Sequence, residues 1–209
     1  MTDPSPELGD QRFAVIDIET SGLEPARNKI LQIAVVTCDV RGTVLDEWST
    51  YVKPPHWPFA RVGPRTVHGI TRRTLKGAAE LPAALRDLAL RLEGTVITAH
   101  NAEFDLGFIR HHADRLDVQL PDSPVACTLA LSRSLDPAAR SSHRLTDVCR
   151  RFGVPHERAH DALADARATA GILPHLIEAT GISTMPDLLE RAAPSSKRRR
   201  LPGPGQGEE

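Results

Sequence analysis

Cysteine is scarce in this chain. Cys38, Cys127 and Cys149 are scattered over 209 residues with no paired spacing. An odd, unpaired set excludes a disulfide frame and a cysteine zinc site, and predicts reduced thiols in a cytoplasmic protein. Long apolar runs are missing as well: no stretch could cross a bilayer, and the opening MTDPSPELGD lacks the apolar core of a signal peptide. Nor does charge of one sign dominate. With 26 basic and 27 acidic residues the formal net charge is −1, so no global field draws the chain to nucleic acid or a membrane, although local patches stay open. Lysine is rare (Lys29, Lys53, Lys76 and Lys197), leaving 22 of the basic residues as arginine. Arginine suits bidentate phosphate contacts, but codon bias gives the same excess and is the plainer explanation.

What is present is a 40% hydrophobic composition, enough for one domain with a sizeable core. Residues 1–10 read as a disordered leader, 11–182 as the domain, and 183–209 as a short helix followed by a disordered basic and Gly/Pro tail containing the run KRRR. Phe13 to Ile16 is a buried strand ending in DIETSG. Ile30 to Thr37 and Thr43 to Val52 form two more strands, turned by Arg41-Gly42. A long loop, Lys53 to Lys76, carries four prolines. Leu81 to Leu92 has helical periodicity, stopping near Gly94. Thr95 to Ala99 is a strand running into HNAEFD, and Phe104 to Leu116 a helix. Val125 to Cys127 is a strand feeding another helix. His143 to Phe152 is helical, and Asp161 caps an alanine-rich helix. Three hairpin-joined strands followed by alternating strands and helices predict an α/β fold, a mixed five-stranded sheet flanked by helices.

Three places in this order carry acids where chemistry gathers. Asp17 and Glu19 lie two apart at a strand end, so they face the same side and repel unless a cation lies between them. Solvated acids at strand ends are common, so this pair alone says little. In HNAEFD, a strand delivers His100 and Asn101, and Asp105 lies in the first turns of the next helix. Glu103 suits a simple helix-terminus role and Asp105 a site. In HDALADA, Asp165 sits among Ala162, Ala164, Ala166, Ala168 and Ala170. Alanine has high helix propensity without further meaning, yet small side chains also let this helix come close to Asp17 and Glu19. Together Asp17, Glu19, Asp105 and Asp165 make four hard oxygen ligands of the kind Mg²⁺ or Mn²⁺ prefers. His160, just ahead of the helix, can take a proton from water. Two ions about 4 Å apart are the usual device for cleaving a phosphodiester.

These motifs, DIETSG (17–22), HNAEFD (100–105) and HDALADA (160–166), resemble the DEDDh 3′–5′ exonucleases, in the branch that includes the proofreading ε subunit of bacterial DNA polymerase III. VHGIT (67–71), CTLALSR (127–133) and HRLTDVCRRFGV (143–154) resemble the same branch, over roughly residues 12 to 180. The resemblance implies a ribonuclease H-like fold and two Mg²⁺ or Mn²⁺ ions. Asp17, Glu19 and Asp165 would hold the first ion, Asp17 and Asp105 the second, and His160 would be the general base. Thr20 and nearby amides would hold the terminal nucleotide, with His68, His100, Asn101 and Phe104 near the substrate. Cys127 departs from the aspartate many relatives carry there, outside the metal set.

The Lys53–Lys76 loop has no acid and six basic residues, interleaved with Trp57, Phe59 and His68. Such a mixture suits a single-strand channel, and equally a proline-rich loop packed on the domain edge. The expected partner is nucleic acid with a free 3′ end, DNA by the family branch, with RNA as the rival. A DNA polymerase is a further candidate partner and a membrane is not. The short stretch after Ile182, without a glutamine-led hydrophobic clamp motif, points instead to a free-standing nuclease. The reading from another class is a non-catalytic module that grips nucleic acid or a polymerase.

Overall fold

Phe13, Ala14, Val15 and Ile16 put apolar side chains on both faces of one strand, so that strand has to be covered on both sides. The computed structural model describes residues 8–56 and 59–194. Its strands are β1 (Phe13–Thr20), β2 (Ile30–Cys38), β3 (Val44–Lys53), β4 (Ala79–Glu80), β5 (Val96–Ala99) and β6 (Val125–Cys127), in one sheet of order β4-β3-β2-β1-β5-β6. β1, β2 and β3 run antiparallel, while β5 and β6 are parallel to β1 and to each other. All five expected strands are present. The sixth, β4, pairs its two residues with Val52 and Lys53 and is too short to leave a pattern in the sequence. The β2–β3 turn is fixed by Asp39, whose Oδ1 accepts from the Arg41 and Thr43 amides, with Gly42 at φ 80°.

The helices are α1 (Arg65–His68), α2 (Leu81–Leu92), α3 (Ala102–Arg115), α4 (Thr128–Ser134), α5 (Leu145–Phe152), α6 (Ala162–Thr180) and α7 (Met185–Arg191). Alternation along β1 splits the core. Ala14, Ile16 and Ile18 pack with Leu85, Leu88, Phe108 and Ile109 of α2 and α3. Phe13 and Val15 face the other way, into a cluster with Ala162, Ala166 and Leu173 of α6.

Three boundaries differ from the sequence reading. The loop expected over Lys53–Lys76 contains α1 and a 3₁₀ turn, Thr74–Gly77, held by a small core of Leu31, Ile70 and Leu75. The domain does not stop at 182: Met185, Leu188 and Ala192 of the α7 segment are buried in the main core, and the Ala192 carbonyl accepts from the Cys127 amide. Leu8, assigned to the leader, is buried there too. In each case buried apolar side chains, few and scattered in the sequence, outweighed the local composition. The remaining leader, Trp57, and the tail with KRRR lie outside the described residues.

α6 lies against β1 and β2, and its alanines are the reason it can. Ala162, Ala166, Ala168 and Ala170 are at most 2% exposed. Asp161 caps the helix, its Oδ1 accepting from the Ala164 amide at 3.1 Å. Gln32 of β2 accepts from the Ala162 amide, and Arg167 forks onto Glu47 of β3. The first turn of α6 is therefore tied to the sheet at several points.

Candidate active site

Asp17 and Glu19 share the β1 face that carries Phe13 and Val15, so strand parity aims both acids toward α6, whose first turn bears Asp165. Asp105 arrives from the first turn of α3, just after β5 ends and the chain turns through His100 and Asn101. Glu19 and Asp105 are buried, while Asp17 and Asp165 are half-buried. Ligand atoms of Glu19, His160 and Asp165 lie within 4.8 Å of one another.

The ionisation of Asp17, Glu19 and Asp105 is disturbed by burial and by the acids around them. Burial pushes the Asp17 carboxyl well above its ordinary value, and the charges of Asp105, Asp165, Glu19 and Asp161 push it the same way. Glu19 is raised to about 7, by burial first and then by Asp165 and Asp161. Burial raises Asp105 to about 7, with Glu19 and Asp165 adding to it, against backbone hydrogen bonds that favour the charged form. Groups that resist ionisation because like charges crowd them are the groups a cation relieves. This donor set, hard carboxylate oxygens with an imidazole at the edge, fits Mg²⁺ or Mn²⁺.

Two residues at the mouth hold backbone conformations that side chains disfavour: Asn101 at φ 81° and His160 at φ 67°. Asn and His tolerate this region best, and such residues gather at functional sites. His160 is exposed, and its ring makes no hydrogen bond among the described residues, while its backbone amide donates to Asp165 Oδ2 at 3.2 Å.

The residues expected at the substrate fare differently. Asn101 is exposed, with its side chain unbonded among the described residues. Thr20 donates its hydroxyl to the Gly22 carbonyl at 2.6 Å, shaping the turn after β1. Phe104 is half-buried against Phe108, ring centroids 5.1 Å apart, so it shares in the core. The two histidines have their ring nitrogens engaged within the protein. His68 is buried, its Nε2 on the Val62 carbonyl and its Nδ1 accepting from the Ile70 amide. His100 reaches Thr128 Oγ1 at 3.0 Å and the His143 carbonyl at 2.8 Å. Both brace loops around the site.

The sequence reading missed His156. Its Nε2 lies 2.6 Å from Asp165 Oδ1, and its side chain is 4% exposed. The one signal was a second histidine four residues before His160, in a segment otherwise polar enough to pass for a solvated loop.

Residues 14–173, a span holding all three acidic motifs, match the exonuclease family model RNase T. The chain belongs to the exonuclease family. It is 33% identical over 171 residues to the PolC-type DNA polymerase III of Halalkalibacterium halodurans, and 32% identical over 172 residues to the 3′-5′ exonuclease DinG of Bacillus subtilis. Each match takes in 82% of this chain but only 12% and 18% of those proteins, so the chain spans less than a fifth of either. E. coli exonuclease I, solved with a dA16 oligonucleotide, has the same fold: TM-score 0.70 and 24% identity, over 87% of this chain and 42% of that one. Exonuclease X, solved with 5′ overhanging duplex DNA, covers 88% of this chain and 99% of its own, at TM-score 0.64 and 22% identity.

Proposed function

We propose that this exonuclease is a divalent-metal-dependent 3′–5′ enzyme that hydrolyses the terminal phosphodiester of single-stranded or frayed DNA and releases nucleoside 5′-monophosphates. The observation that carries this reading is the convergence of Asp17, Glu19 and Asp105, their carboxyls raised by burial and by like charge, on Asp165, whose ligand atoms group with those of Glu19 and of a His160 ring left without a hydrogen bond among the described residues. Asp17, Glu19 and Asp165 would hold one Mg²⁺ or Mn²⁺, and Asp17 with Asp105 the other. When bound there, such ions would supply the positive charge that favours attack on a phosphodiester and departure of its 3′ oxygen.

The protein's own groups do the rest. The His160 ring takes the proton of the attacking water, as an imidazole does well near neutral pH. Its exposed position lets that proton pass on to solvent. Beside the end of β1 lies a cavity of about 790 Å³ lined by Ser21, Arg27, Lys29, Phe59 and Arg61. The cations suit strand phosphates, and Phe59, at 84% exposure, has a free face for a base. That exposure supports a channel over an edge-packed loop. The PolC-type relatives, DNA polymerases by name, support a proofreading or repair setting.

A fluorescent single-stranded DNA and its RNA counterpart, each incubated with Mg²⁺, test this reading. Wild type is expected to release mononucleotides from the DNA 3′ end, and Asp17→Ala to lose at least about a hundredfold in rate. Preferential RNA trimming would transfer the assignment to an exoribonuclease. Binding without release would make the chain a nucleic-acid-gripping module.

A further inference from the structure

A carboxylate set beside other carboxylates needs something to hold it in place. Asp165 is on the first turn of α6, half-buried, facing Glu19 and Asp17. Both of its oxygens are engaged by the segment between α5 and α6. His156 Nε2 lies 2.6 Å from Oδ1, and the His160 backbone amide 3.2 Å from Oδ2. The remaining His156 nitrogen, Nδ1, is 3.3 Å from Thr146 Oγ1 of α5. With Asp165 Oδ1 as the acceptor, His156 Nε2–H donates, and the ring's Nδ1 pairs with the Thr146 hydroxyl.

We propose that His156 is a positioning residue for the metal site, resting on the nuclease reading above. Its Nε2–H and the His160 amide each occupy one lone pair per Asp165 oxygen, which fixes the plane of the carboxylate and leaves the other lone pairs for a cation. The arrangement has the form of a carboxylate ligand oriented by an outer hydrogen-bond donor, whose loss typically costs 10–100-fold in metal affinity. Thr146 holds the ring's other nitrogen and so belongs to the same device. His156 also differs from His160 in kind: its side chain is 4% exposed and both nitrogens are used, so it cannot take a proton from water in this arrangement.

Glutamine places its amide nitrogen where Nε2 of histidine lies, so His156→Gln keeps the donor and His156→Ala removes it. Mn²⁺ binding is read by titration calorimetry, beside thermal unfolding in chelator and mononucleotide release from single-stranded DNA. His156→Ala is expected to bind Mn²⁺ about 10–100-fold more weakly, with KM for DNA little changed at saturating metal. His156→Gln is expected to regain most of the affinity. Thr146→Val, at an exposed position and therefore safe for folding, is expected to weaken Mn²⁺ by a smaller factor even if His156→Ala does not fold. Wild-type Mn²⁺ affinity in both His156→Ala and Thr146→Val overturns the proposal, as does a His156→Ala defect confined to thermal stability. Failure of the nuclease reading looks different: wild type itself would then bind Mn²⁺ without releasing mononucleotides.

Discussion

His160 lies with Glu19 and Asp165 in a cluster whose geometry would suit a metal ligand, yet we assign it to proton transfer. The two roles separate in a single variant. His160 holds a left-handed backbone at φ 67°, a conformation asparagine accepts with little strain, so His160→Asn removes the imidazole while leaving the Asp165 amide contact in place. If the ring is the base, turnover is expected to fall by roughly 10²–10⁴, with Mn²⁺ affinity within about twofold of wild type. Asp165→Asn should instead lose affinity and turnover together. Parallel losses in His160→Asn, measured by calorimetry and single-turnover kinetics, would make the ring a ligand. At this scale the sequence was legible where a residue's chemistry is unusual for its place: acids at a strand end, an acid on the buried side of an alanine helix. It was silent on how His68 and His100 are held, because motif membership does not say which neighbouring group a ring nitrogen meets. His156 was hidden for the converse reason, its partner lying nine residues on and visible only once the loop folds back.

At the scale of elements, the site depends on how closely α6 can approach the sheet, since β1 and α6 supply three of the four acids. Ala166 is fully buried in the cluster that includes Phe13 and Val15. Replacing it with leucine adds three carbons where there is no room, and overpacking of this kind costs typically about 1–3 kcal/mol. Ala166→Leu is expected to unfold at lower denaturant and to lose turnover beyond what the stability change explains, because the helix carrying Asp165 is displaced. An exposed control on the same helix, Arg167→Ala, should leave turnover near wild type even though it loses the fork onto Glu47. Equal turnover in Ala166→Leu and wild type, assayed well below the unfolding transition, would mean that alanine here reflects helix propensity alone. The elements were largely readable because β1, β2 and α2 carry strong apolar periodicity. β4 was not, having only two residues. α7 was undervalued because a seven-residue helix beside a low-complexity tail looks unimportant until Met185 and Leu188 are seen in the core.

For the whole molecule, the raised acids make an argument about stability that can be separated from the rest of the titration. Glu19 is charged in the unfolded chain above its ordinary 4.5 but in the folded protein only above about 7. The folded state therefore binds more protons between these values, and stability falls as pH rises through the window. Buried histidines oppose this. Burial lowers His68, His100 and His112, so the unfolded chain binds their protons more tightly and stability rises as pH climbs toward 6.5. The raw profile mixes both, and a comparison with Glu19→Gln removes the histidine part. At 8% exposure Glu19 is little screened by water. In chelator, Glu19→Gln is expected to match wild type near pH 4.5 and to exceed it by roughly 3 kcal/mol at pH 8, as read by urea unfolding. With Glu19 as a ligand, Mg²⁺ is expected to bind the folded wild type more tightly than the variant, so adding it should shrink the pH 8 gap by the difference between their RT ln(1 + [L]/Kd) values and leave the low-pH values unchanged. A gap that is constant with pH would mean that neither burial nor its neighbours raise Glu19, and one indifferent to Mg²⁺ would mean that Glu19 does not hold the ion.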